Sequence, residues 1–91
     1  MDSLIRVEIA KDFGLFLENP TDGKKHLERL GIQSTPEHIV AYEVGYLIAR
    51  FRSLHIDVHK KEPTDEEFME LFDFLEHWTE EMRATLDYLM R

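Results

Sequence analysis

The chain has 91 residues, 43% hydrophobic, 33% charged and 11% aromatic, with no cysteine and a net charge of −8. That length implies one domain spanning residues 1–91. The missing thiols exclude disulfides, cysteine-held zinc and thiol catalysis. The net charge argues against nucleic-acid backbones and anionic membranes as partners, and the apolar fraction is enough for a packed core.

The charge is unevenly placed. Residues 1–61 hold nine acids and nine bases, whereas residues 62–91 hold ten acids against only Arg83 and Arg91. No apolar run approaches the ~20 residues of a membrane span. Arg6, Glu8, Lys11 and Asp12 interrupt the first segment and leave no signal-peptide core. Together with the absence of cysteine, this points to the cytoplasm.

In chain order, Ser3 is placed to cap a helix over residues 4–18, whose stripe is Ile5, Ile9, Phe13 and Phe16. The alternation Ile5, Val7, Ile9 also permits a short strand. Asn19-Pro20-Thr21-Asp22-Gly23 is a turn. Asp22 is expected to cap a short helix over 23–30, stopped by Gly31. Thr35-Pro36-Glu37 then offers an N-cap, a proline at the first helical position and an acid in the first turn, starting a helix that runs to about Lys60. Glu62-Pro63 breaks it. Thr64-Asp65-Glu66-Glu67 is a capping box that opens a last helix to about Leu89. The expected fold is an all-α bundle of about four helices, two short N-terminal and two long.

Spacing residues at about 100° each puts Phe68, Leu71, Phe72, Leu75, Thr79, Met82, Leu86 and Leu89 on the core side of the last helix. Opposite lie Glu66, Glu70, Asp73, Glu80 and Asp87, flanked by Glu76 and Glu81, with Phe74 and Tyr88 intruding as apolar anchors. Such a face serves solvation, or it serves as an electrostatic surface for a basic protein partner.

The central helix, 36–60, carries the stripe Val40, Val44, Leu47, Ile48, Phe51, Leu54, His55 and Val58. Its other side is Ile39, Tyr42, Gly45, Tyr46, Ala49, Ser53 and Ile56, equally free of charge. A helix uncharged on two faces is expected to be covered on both. Gly45, Ala49 and Ser53 would let another backbone approach, either the N-terminal helix or a second copy. A helix over 64–90 would measure ~40 Å, longer than the ~31 Å diameter of a compact globule of this size. A two-fold homodimer is the expected cover.

Two constellations bear on chemistry. His55 and His59 are spaced i,i+4, as metal ligands are, but the intervening residues lack the glutamate of a zinc-protease motif. A metal site would need a third ligand such as His77, Glu62 or Glu43. The plain alternative is an interior histidine beside a surface one. Arg50-Phe51-Arg52-Ser53-Leu54-His55 resembles the Arg-x4-His signature of the HEPN ribonuclease superfamily. That resemblance implies a dimeric all-α RNase with His55 as general base and Arg50 holding phosphate. Four isolated glycines form no phosphate loop, so no cofactor is expected. The leading expectation is a non-catalytic interaction module acting through the acidic face of the last helix.

Overall fold

The computed structural model describes residues 1–90, which form four helices: α1 (Ser3–Glu18), α2 (Asp22–Arg29), α3 (Pro36–His59) and α4 (Asp65–Leu89). No strand occurs among the described residues, so the first segment takes its helical alternative.

Local chemistry explains the boundaries. α1 is capped by Asp2 rather than Ser3, its carboxylate accepting the Leu4 and Ile5 amides at 2.8 and 3.3 Å. An anionic acceptor also suits the positive end of a helix dipole. α2 begins one residue earlier than expected. Thr21 holds the cap position without a side-chain bond, and Asp22 lies in the first turn. Gly31 ends it at φ +74°, with its own amide bonded to Glu28 O (3.0 Å) and the Ile32 amide to Leu27 O (2.8 Å), the paired bonds of a Schellman stop. Thr35 and Pro36 open α3 as expected. Both halves of the Thr64–Glu67 capping box are present on α4.

α3 packs against α1, α2 and α4, and the buried side chains form one core. All four stripe residues of α1, Ile5, Ile9, Phe13 and Phe16, are buried in it. They meet Val40, Leu47 and Phe51 of α3 and Leu71, Leu75, Met82 and Leu86 of α4. Burying side chains of this kind contributes roughly 1.5–3 kcal/mol each. Trp78 bridges α4 to α1 by stacking on Phe13 at 4.4 Å between ring centroids. At the edges of the expected stripes, Phe72, Leu89 and Val58 are exposed instead of buried, and Ile39, assigned to the opposite side of α3, is fully buried. Ile39 lies where α2 crosses the start of α3. Gly23 makes that crossing close, since a Cβ there would sit 3.2 Å from Tyr42 and 3.3 Å from Ile39.

The molecule measures 41 × 25 × 21 Å. α3 and α4 have 24 and 25 residues and pack against each other, so the long last helix is accommodated by an elongated bundle. Length alone therefore gives no reason for a second copy.

The N-terminal helix does not cover the second face of α3. Tyr42, Gly45, Tyr46, Ala49 and Ser53 all remain exposed, and Ile56 is half-buried. A Cβ added at Gly45 would meet nothing within 4 Å. α1, α2 and α4 pack around the side of α3 that carries Ile39, Val40, Leu47, Phe51 and His55, and α1 and α2 also border Tyr42 and Tyr46 at the edge of that side. Within one chain, α3 is covered by neighbours on either side of its buried stripe but open along its back.

Candidate functional site

Three regions gather the polar side chains: the corner between α3 and α4, the outer face of α4, and a cleft between α1, α2 and α3.

The corner is built by the two helix ends that the Pro63 break brings together. The stripe position of His55 makes it the one buried polar residue of the core among the described residues. Its Nδ1 lies 2.8 Å from Lys61 O, and its Nε2 lies 2.6 Å from Glu67 Oε2. The other oxygen of Glu67 accepts the Thr64 amide at 3.0 Å, closing the capping box. Glu67 thus serves a helix start with one oxygen and an imidazole with the other. The Thr64 amide first, and the His55 ring second, hold its pKa at about 2, well below the ordinary carboxylate value. Each ring nitrogen of His55 thus faces an oxygen acceptor, the Lys61 carbonyl on one side and the Glu67 carboxylate on the other. The His59 ring lies 4.7 Å from that of His55, tilted by 48°, and 3.4 Å from Asp2, the residue that caps α1.

This geometry bears on both chemical constellations. His55 and His59 are adjacent, but each nitrogen of His55 already faces a protein oxygen. No group of three histidine, aspartate or glutamate side chains is arranged to hold a metal among the described residues. Of the possible third ligands, Glu62 pairs with Arg52 (Nε–Oε2 2.8 Å), His77 is exposed on α4, and Glu43 lies in the cleft. Arg50 and His55 are not brought together. Arg50 faces α1, donating to Asp12 at 2.8 Å with Glu8 at 3.7 Å, while His55 faces α4. The hydrogen bond to Asp12 raises the Arg50 pKa further, tying α3 to α1.

On α4, Glu66, Glu70, Asp73, Glu76, Glu80, Glu81, Asp87 and Tyr88 are all exposed. Glu70 is held by the Met1 amino group. None of the other acids in this row has a cationic partner among the described residues. Arg83, the helix's described arginine, is held by Glu37 of α3 through bonds of 2.6 and 3.3 Å. Phe74 is not the free anchor expected of it. Trp78 packs edge-on at 4.5 Å and the Arg6 guanidinium lies 5.3 Å over its ring, leaving it half-buried. Tyr88 is 75% exposed.

The cleft, about 350 Å³, was not signalled by the sequence. Its lining comes from three elements, and no single motif contains Asp12, Asp22, His26 and Glu43. Trp78 and the Arg83–Glu37 pair were missed for the same reason: each acquires its role from a partner distant in the chain. The His55–Glu67 contact was within reach, because a stripe histidine and a capping-box glutamate flank one short connector.

No family model, curated protein or solved structure matches the chain. No helix among the described residues is long and apolar enough to cross a membrane. The fold defines a small all-α bundle.

Proposed function

We propose that the protein is a non-catalytic interaction module of the cytoplasm, an inhibitor, adaptor or antitoxin-like partner, that offers the outer face of α4 to a basic protein. The observation carrying this is the exposed row Glu66, Asp73, Glu76, Glu80, Glu81 and Asp87, which forms no ion pair among the described residues while Arg83 bonds to Glu37. Solvation alone is equally served by a face of mixed sign. A single-sign row sets up a field that steers an oppositely charged partner. Tyr88 adds an exposed aromatic at the end of the row. The engagement of Arg50 and His55 in separate contacts between helices also favours binding over RNA cleavage.

The test is affinity purification from the native host with wild type and with Asp73→Lys/Glu80→Lys/Asp87→Lys. One partner should be retained by wild type, lost by the variant, and released as salt rises, because screening acts within ~8–10 Å. Equal retention by the variant, or retention indifferent to salt, overturns it.

A second copy of the chain is proposed to cover the back of α3. Its support is the exposed, uncharged set Gly45, Ala49 and Ser53, bordered by Tyr42 and Tyr46 at the rim of the cleft, since such faces are enriched at contacts between subunits. Sedimentation should find a dimer for wild type and a monomer for Ala49→Trp. A wild-type monomer at high concentration contradicts the dimer.

A further inference from the structure

We propose that the cleft between α1, α2 and α3 is a binding site for an organic cation, an alkylguanidinium or alkylammonium group, received by Glu43 and Asp22 against the rings of Tyr42 and Tyr46. The site is independent of α4, since its lining comes from α1, the α1–α2 turn, α2 and α3.

Its walls supply both halves of such a ligand. Leu15 and Phe16 provide an apolar surface for a stem, and three carboxylates, Asp12, Asp22 and Glu43, border it. Asp12 is neutralised by Arg50 at 2.8 Å. Glu43 and Asp22 have no ion-pair partner among the described residues. The nearest group of opposite tendency is the His26 ring, and its Nδ1 is already bonded to the Tyr42 hydroxyl at 2.8 Å. That bond also holds the Tyr42 ring in place as a wall.

Glu43 shows the imbalance most clearly. Burial raises its pKa above the ordinary carboxylate value, the nearby His26 opposes the rise, and Asp22 adds to it. A half-buried carboxylate without a protein partner keeps only part of its hydration, and the Glu43 oxygens stay open to the cleft, since no buried side-chain oxygen or nitrogen among the described residues lacks a partner. A bound cation supplies the missing partner, and the adjacent aromatic faces add attraction for the same charge. The volume of about 350 Å³ lies at the small end of ligand sites, which characteristically join an apolar lining to a few convergent polar groups. A bare metal ion does not fit the donor set, since no group of three side chains arranged to hold a metal is present among the described residues.

The cation is either a free small molecule or the arginine or lysine of a peptide. Amide chemical shifts should be followed during titration with n-butylguanidinium chloride, against its uncharged isostere n-butylurea at matched ionic strength. Saturable shifts are expected at residues 12–16, 22–26 and 42–46 for the cation and not for the urea. Glu43→Gln should weaken binding by at least about tenfold, the scale of one charge-assisted hydrogen bond, with its thermal midpoint raised. Equal response to the urea, equal binding by Glu43→Gln, or shifts spread along α4 instead of the cleft each overturn the site. A parallel titration with a blocked arginine peptide identifies the source. Tighter binding of the peptide assigns the cleft to a partner's side chain, and tighter binding of butylguanidinium assigns it to a small molecule.

Discussion

Glu67 and Glu43 are both glutamates beside a histidine, and their surroundings drive them in opposite directions. At the corner, Glu67 accepts from the Thr64 amide and faces the His55 ring, and its pKa falls to about 2. In the cleft, Glu43 is half-buried with no hydrogen-bond donor or ion-pair partner among the described residues, and its pKa rises. Hydrogen bonds to the charged form lower a carboxylate's pKa, and unrelieved burial raises it. The corner is electrostatically complete and reads as structure. The cleft is incomplete, and incompleteness in a concave, aromatic-walled space is the mark of a site.

The largest expected effect lies at the corner. His55→Ala removes a buried ring and its contacts to Lys61 O and Glu67, and should cost about 3 kcal/mol in equilibrium urea unfolding. A loss below ~0.5 kcal/mol, the size of an ordinary surface change, would show that the corner is not holding α3 to α4.

The pH dependence comes next. Glu67 titrates at about 2 folded against 4.5 for the free group. Its contribution is therefore complete above pH 4.5 and disappears as the pH falls through about 2. Thermal midpoints measured across that window should decline for wild type and decline less steeply for Glu67→Gln. Parallel curves would remove Glu67 from the account of acid unfolding.

Arg50→Gln sharpens the comparison from the other side. It breaks the bond from α3 to Asp12 and should cost about 1 kcal/mol. It also leaves Asp12 unpaired on the cleft wall, so butylguanidinium should bind more tightly than to wild type. Weaker binding would mean that Arg50 supports the cleft's shape more than it offsets its charge. The smallest effect is that of Tyr88→Ser. With 75% of the residue exposed, the change should stay within ~0.5 kcal/mol on stability while lowering the yield of the α4 partner.

How far the sequence reaches follows from the range of each interaction. Helix starts are local, and so Thr35-Pro36 and the Thr64–Glu67 box stand where the residues place them. Asp2 displaced Ser3 because two adjacent residues competed for one cap and the carboxylate prevailed. The stripe of α1 was readable because one face is consistently apolar. α3 was harder, because lack of charge does not distinguish a buried face from an open one, and Tyr42, Tyr46 and Ala49 lie in the open. Phe74 looked free on a helical projection because Arg6, which lies over its ring from another helix, is distant in the chain, whereas Trp78, four residues on along the same face, was legible as a neighbour. The cleft had no local signal at all, being assembled from residues as distant as Asp12 and Tyr46.

The contrast between a completed and an uncompleted carboxylate is tested most directly by urea unfolding of Glu67→Gln and Glu43→Gln at neutral pH. Because the folded chain lowers the pKa of Glu67 and raises that of Glu43, the ionised forms stabilise and destabilise it respectively. Glu67→Gln should lower the unfolding midpoint and Glu43→Gln should raise it. Two midpoints displaced downward together would contradict the account.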